Sequence, residues 1–276
     1  MKEEPMQTFN PKIPILMYHE VSDASSSHRS TYNLTPLYDL PVTMFERQME
    51  LLLERGYKSL LFDKIPAEME EKGNYIIITF DDGLKGNYKY GLPVLQKYGF
   101  NATVFIVVDR IGSERFMQWS ELKALVASGI SVQSHTMSHR PLQTLTDKEV
   151  YHELYMSKQV IEDKLQKEVL ALSFPHGSYN QKVTRMAKEV GYKYLCTSDI
   201  ECTYYHSLLK EPAILGRIAM TTKLNTERFI KCLEYDKKEV LRIKLSKKAK
   251  NLTKRMIGID RYRKIYRYLF NISLDA

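Results

Sequence analysis

A strand signature that ends on two acids constrains this chain more than any other feature. Tyr75-Ile76-Ile77-Ile78 is a run of β-enriched residues, and Thr79-Phe80-Asp81-Asp82-Gly83 closes it. Successive residues of a strand point to opposite faces, so Asp81 and Asp82 cannot act on one point from the same side. A carboxylate taken out of water is costly unless it is paired or holds a metal. Two acids at a strand end, followed by glycine, read as a metal ligand beside a general base. The competing reading is an Asp-Gly turn, and these five residues alone leave both open.

The remainder of the chain repeats one pattern. Apolar runs at Ile13–His19, Ala102–Val108, Ile130–His135, Val169–Phe174, Tyr194–Asp199 and Ile214–Met220 join the Tyr75 run to predict seven strands. Between them lie helical stripes: Met49, Leu52 and Leu53; Leu92, Leu95 and Tyr98; Leu122, Leu125 and Val126; Val150, Leu154, Ile161 and Leu165; Val183, Met186, Ala187 and Val190. Thr43–Glu46 and Thr146–Glu149 have the spacing of capping boxes, and Ser120 is placed to cap a third helix. Gly56, Gly99, Gly129 and Gly191 supply the stops. The polar stretch Ser22–Pro41 predicts a long functional or mobile loop, and Met69-Glu70-Glu71 a short helix. Strand–helix alternation argues for an α/β fold of parallel strands covered by helices, and 276 residues suit one large domain such as a (β/α) barrel. An open doubly wound sheet gives the same string, but either architecture puts chemistry at the C-terminal strand ends.

Those ends carry a selective set: His19, Asp81-Asp82, His135, Phe174-Pro175-His176-Gly177, Asp199 and Arg217. In His135-Thr136-Met137-Ser138-His139 two imidazoles stand four residues apart, which on a helical turn puts both on one face, able to hold one cation.

With these motifs together the chain resembles the NodB-type polysaccharide deacetylases, carbohydrate esterases whose first two motifs read Thr-Phe-Asp-Asp-Gly and His-Ser/Thr-x-x-His. Both stand unchanged at Thr79–Gly83 and His135–His139. Ile15-Leu16-Met17-Tyr18-His19 is similar to the opening of a bacterial subgroup acting on exopolysaccharides, and the resemblance runs from Pro14 to about Met220. It implies an incomplete, distorted (β/α)7 barrel. It also implies that Asp82, His135 and His139 bind a divalent metal, usually zinc, with Asp81 as the general base. A backbone N–H at His176 would hold the oxyanion.

The chain departs from the pattern at two places. The third motif usually opens with an arginine that tethers the base, and that place is Ser173. The fifth reads Leu-x-His, the histidine protonating the departing amine, whereas Leu215-Gly216-Arg217 puts arginine there. Asp199 matches the aspartate that orients the missing histidine. An arginine stays protonated near neutral pH, so Arg217 cannot be the acid. We expect it to supply the charge lost at Ser173 by pairing with Asp81 or Asp199. The proton is then left to His176, His19 or bound water.

Net charge adds a second region. Residues 237–276 hold 13 Lys and Arg against 3 Asp and Glu, and the rest 28 against 30. This divides the chain into a barrel over 1–236 and a basic helical extension over 237–276. Within 246–270, Ile259, Tyr262, Ile265, Tyr266 and Leu269 recur at helical spacing, so the segment either contacts an anionic membrane peripherally or packs on the barrel. No nucleic-acid reader motif accompanies the charge, and no nucleic-acid partner is predicted. Met1–Pro5 lacks an apolar core, and no run reaches the roughly 18 residues of a spanning helix, which predicts a cytoplasmic location, peripheral at the inner membrane face. Cys196, Cys202 and Cys232 match no zinc motif and read as reduced thiols.

Together these features predict a metal-dependent hydrolase that de-N-acetylates an amino sugar in a polysaccharide, oligosaccharide or lipid-linked glycan precursor. The alternatives are a non-catalytic glycan-binding or scaffolding descendant, and a hydrolase of another C–N bond or an O-acetyl ester.

Overall fold

The structure is a computed structural model that describes residues 10–23, 36–65 and 73–257. Its centre is a sheet of nine parallel strands. They are β1 (Ile15–Tyr18), β4 (Tyr57–Ser59), β5 (Asn74–Phe80), β6 (Thr103–Ile106), β7 (Ser131–Ser134), β8 (Ala171–Ser173), β9 (Tyr194–Cys196), β10 (Ala213–Leu215) and β11 (Ile218–Ala219). The order is β10-β9-β8-β7-β6-β5-β1-β11, with β4 pairing the start of β5. A separate two-stranded sheet joins β2 (Glu20–Ser22) to β3 (Asp39–Pro41).

The seventh expected strand, Ile214–Met220, is broken in two. Leu215 pairs with Cys196 on one sheet edge, and Ile218 pairs with Leu16 on the other. Two residues, Gly216 and Arg217, therefore bridge the edges of a sheet that curls into a distorted, incomplete (β/α)7 barrel. A Cβ on Gly216 would sit 2.6 Å from Cβ of Glu201 and 2.8 Å from the Asp199 carbonyl oxygen, so only glycine lets the chain cross there.

Strand alternation sorts two apolar clusters. Leu16, Ile76, Ile78, Val104, Val132, Leu172 and Leu195 face the helices, whereas Ile15, Tyr75, Ile77, Phe105, Ala171, Cys196 and Leu215 meet one another inside the curl. Along β5 the inward series runs Tyr75, Ile77, Thr79 and then Asp81. Apolar filling thus gives way to polar groups at the C-terminal mouth.

The outer helices are α1 (Val42–Glu54), α2 (Leu92–Tyr98), α3 (Trp119–Ala127), α4 (Asp147–Leu165), α5 (Gln181–Val190), α6 (Tyr205–Leu208), α7 (Thr226–Leu233) and α8 (Lys237–Ile257). Thr146 caps α4 with the expected box to Glu149. The other two caps differ. α1 starts at Val42 with Pro41 at its N-cap and no side-chain cap, because Glu46 turns to Lys97 at 2.6 Å. α3 starts at Trp119 under a Gln118–Glu121 box, its cap two residues ahead of the one expected at Ser120. The expected Met69–Glu71 helix, most of the Ser22–Pro41 loop and the tail beyond 257 lie outside the described residues. Among the described residues no helix is long and apolar enough to cross a membrane, and Cys196, Cys202 and Cys232 are free thiols.

Candidate active site

At the mouth of the curl, β5 and β7 deliver Asp82, His135 and His139 to one point. Their ligand atoms all lie within 4.8 Å of one another. Asp82 Oδ1 stands 3.3 Å from His139 Nε2 and 3.6 Å from His135 Nε2. His135 Nδ1 lies 2.8 Å from the Ser173 carbonyl oxygen. A carbonyl only accepts, so Nδ1 carries the proton and Nε2 faces Asp82 with its lone pair. Burial, then His135, His176 and Arg110, push the His139 imidazole down to about 2, which keeps it in its neutral, ligating form.

The donor set is tested by Asp82 Oδ1 itself, which is buried and accepts no hydrogen bond among the described residues. Such an atom carries a desolvation cost that a cation between it and two imidazoles would offset. One carboxylate and two neutral imidazoles are a donor set for a borderline divalent ion. The residues present fit a metal.

The local backbone explains the convergence. Asp82 (φ 73°), Thr136 (φ 70°), His139 (φ 65°) and His176 (φ 58°) are four of the six non-glycine residues with positive φ among the described residues. Strain of this kind persists only where neighbours enforce it. At Gly83 (φ 77°) a Cβ would meet Ile106 Cγ2 at 2.9 Å, so the sharp turn after Asp82 admits glycine alone. The His135–His139 segment is not the helical turn that its spacing suggests but a bent loop. Its organiser is Glu153 of α4. One carboxylate oxygen accepts the N–H groups of Met137 (3.0 Å) and Ser138 (2.9 Å), and the other accepts the Ser138 hydroxyl. Our sequence reading passed over Glu153. Its signal was an acid beside Leu154 on the inward stripe of α4, where it is 4% exposed.

Beside this triad, Asp81 is gripped by Arg217. Nη1 donates to Oδ1 at 2.7 Å and Nη2 to Oδ2 at 2.8 Å. The guanidinium is 1% exposed and spends its other donors on Thr79 Oγ1 (3.1 Å), Ser173 Oγ (2.8 Å) and the Thr197 carbonyl (2.9 Å). Ser173 Oγ also donates to Asp81 Oδ2 at 3.1 Å. Burial alone would raise the Asp81 pKa, but the charge of Arg217 and the two bonds it donates hold it far below the usual carboxylate range. Of the two partners expected for Arg217, the structure therefore gives Asp81.

Asp199 is placed differently. Its carbonyl accepts the Arg217 N–H at 2.9 Å, but its carboxylate turns to Lys247 of α8 at 2.7 Å. Its carboxylate is thus paired with a cation of α8 and not with the Arg217 guanidinium. His176 reaches the site, its ring centroid 4.6 Å from that of His139. His19 also lies there, its ring tilted 40° against that of Tyr38 at 4.7 Å, with Nδ1 buried and unbonded among the described residues. Burial lowers the His19 pKa, against the opposing pull of Asp82 and Asp81. Next in sequence, Glu20 is buried and ties two loops together. Oε1 accepts the Gly86 N–H at 2.9 Å, and Oε2 faces Arg115 Nη2 at 3.3 Å.

A curled parallel sheet with Asp, His and His beside a clamped second aspartate defines a hydrolase-type site suited to a divalent metal. The profile of the polysaccharide deacetylase family matches residues 68–195. YxkH of Bacillus subtilis (strain 168), assigned by name to the polysaccharide deacetylases, is 32% identical over 197 residues, 68% of this chain and 65% of YxkH. The chain thus spans just under two thirds of that relative. The poly-β-1,6-N-acetyl-D-glucosamine N-deacetylase of Staphylococcus aureus is 24% identical over 202 residues, 65% of this chain and 69% of that protein. The crystal structure of BC0361, a polysaccharide deacetylase from Bacillus cereus, superposes with a TM-score of 0.72 at 29% identity, covering 82% of this chain and 70% of that one. Residues 68–195 are thus a polysaccharide deacetylase domain, of the family to which YxkH and BC0361 are assigned by name.

Proposed function

We propose that this protein removes acetyl groups from an N-acetylated amino sugar within a glycan, by metal-dependent hydrolysis of the amide. The observation that carries the reading is the Asp82–His135–His139 triad set against an Asp81 whose charge is fixed by Arg217. The name of the Staphylococcus aureus relative supports an N-acetylglucosamine polymer or oligomer, free or lipid-linked, as the substrate class.

Asp82 Oδ1, His135 Nε2 and His139 Nε2 would hold the metal, most simply zinc given the mixed carboxylate and imidazole set. When bound, such an ion supplies Lewis acidity to the amide carbonyl and lowers the pKa of water. Asp81 accepts the proton of the attacking water. With both its oxygens held by Arg217 it is a weak base, positioned rather than strong. The turn at His176 offers its backbone N–H to the oxygen that becomes anionic. The leaving amine needs a proton, and Arg217 has none to give. His19 and His176 are the two imidazoles at hand, and His19 keeps a buried Nδ1 that is unbonded among the described residues. Asp199 acts on neither and serves to fasten α8.

The test is acetate release from an N-acetylglucosamine oligomer by metal-loaded protein, with Asp81→Asn as control and an O-acetyl ester compared in parallel. Amide turnover lost in Asp81→Asn supports the reading. Glycan binding without acetate release makes the protein a binding module, and a preference for the ester moves it to another hydrolase class.

A further inference from the structure

Helix α8 has two faces of opposite purpose. One is fastened to the body. Val240 and Ile243 pack on the core, the buried Glu239 accepts from Arg228 at 2.6 Å, and Lys247 Nζ donates to Asp199 Oδ1 at 2.7 Å and to the Ser198 carbonyl at 3.0 Å. The other face exposes large apolar side chains. Leu241, Leu245, Leu252 and Met256 are 56%, 57%, 57% and 77% exposed. At 3.6 residues per turn these four positions fall within an arc of about 60°. The exposed Lys248 stands about 20° outside that arc, with Lys237 and Lys244 beyond it on the same flank and Lys238 and Arg242 on the other. Over Lys237–Ile257 the sequence has nine Lys and Arg against one acid, Glu239, which is buried and paired.

We propose that this outer face of α8 docks on an anionic lipid surface. An amphipathic helix lying in a membrane interface needs an apolar stripe to enter the acyl boundary and cationic flanks to meet the headgroups, and both are present. The charge argues against the other occupants. A second copy would set one cationic helix against another, and a nucleic acid or other polyanion would use the lysines but leave four apolar side chains in water. As far as Lys247 the inner face is already satisfied, so docking needs no rearrangement of that part of α8. Because Lys247 ties the helix to the Ser198–Asp199 segment, and a Cβ on Gly177 would touch Ser198 Oγ, docking would set the mouth of the curl at a fixed place relative to the bilayer. This inference rests on α8 alone and does not depend on the reaction proposed above.

The experiment is flotation of the full chain with phosphatidylcholine vesicles, with and without about 30 mol% phosphatidylglycerol. The variants are Leu245→Glu/Leu252→Glu and Lys244→Glu/Lys248→Glu, each checked by thermal melting for an intact fold. The protein should partition onto the anionic vesicles at least about tenfold more than onto neutral ones, and each double variant should lose that advantage. Three results would overturn the proposal. The first is no partition onto anionic vesicles. The second is loss in the lysine variant only, with matching behaviour on DNA, which makes the partner a polyanion. The third is a lipid-free dimer in sedimentation that Leu245→Glu/Leu252→Glu dissolves, which makes it a second copy.

Discussion

Arg217 and Asp81 form a two-pronged pair, 2.7 and 2.8 Å, closed off from water between strands that lie 136 residues apart in the chain. The pair does what a lone arginine at the place of Ser173 would do, and Ser173 completes it by bonding to both partners. The exchange of a third-motif arginine for one in the fifth motif therefore conserves the charge on the base while moving its source across the barrel.

Arg217→Ala should leave a buried, uncompensated carboxylate and cost about 3–5 kcal/mol, with amide turnover lost. Arg217→Lys keeps the charge without the fork and should recover part of the stability but little of the turnover. The pH dependence follows from the depressed Asp81 pKa. The native contribution is present above the unfolded carboxylate value, about 4, and is lost as pH falls through the folded one. In the alanine variant burial raises the Asp81 pKa instead, so its deficit should shrink as pH falls from that raised value to about 4, and further below about 4 as the wild-type contribution is lost. Denaturant melts at several pH values measure this. A variant that keeps wild-type turnover with metal bound removes Arg217 from the chemistry.

Asp82→Asn should abolish stabilisation by added zinc. The wild-type protein should gain about 2.7 kcal/mol when the metal stands at a hundred times its dissociation constant. The variant should gain almost nothing, while its metal-free melting temperature stays equal or rises because a buried charge has gone. Thermal shift with and without chelator reads this independently of any substrate.

Glu153→Ala should weaken metal binding by about 10–100-fold, although Glu153 touches neither histidine. Its carboxylate holds the Met137 and Ser138 N–H groups that set the positive φ of His139. Glu153→Gln should recover part of the affinity, and the ratio of the two affinities, measured by competition titration, separates positioning from general destabilisation.

Glu20 should make stability fall as pH rises. Burial, opposed mainly by Arg115, lifts its pKa to about 7 from an ordinary value of 4.5. A raised folded value gives stability that is present below the unfolded pKa and lost as pH rises through the folded one. The full span is of the order of 3 kcal/mol. Glu20→Gln keeps an acceptor for the Gly86 N–H and should flatten the profile between about pH 5 and 7. A Glu20→Gln profile that still falls over that window puts the titration on another group.

Much of the site was legible because its motifs are short and local. Asp81-Asp82-Gly83 ends a strand as read, and Thr146 and Glu149 cap α4 because both partners lie within one turn. What was hidden depends on distant partners. Glu46 fits a capping box with Thr43, but Lys97, 51 residues away, takes it. The two histidines fit a helical turn, but Glu153 bends the loop from another element. Ile214–Met220 fits one strand, but Gly216 must pass close to Asp199 and Glu201, and the strand divides there. Asp199 fits a role beside residue 217, but its carboxylate is claimed from α8, 48 residues on. Local pattern finds the ligands, and long-range contacts decide their geometry.

The bridge at Gly216 and Arg217 also sets an order of events during synthesis. The three residues suited to the metal have all left the ribosome once His139 has emerged, while Asp81 still awaits its counter-charge from residue 217. The last strand pairs with the first, Ile218 with Leu16, so the curl and the base are completed by the same late segment. A nascent chain stopped before that point would carry a nearly whole cation site and a carboxylate with no fixed charge to keep it ionised. In this fold the three residues suited to a metal are synthesised before the partner that charge-pairs the neighbouring aspartate.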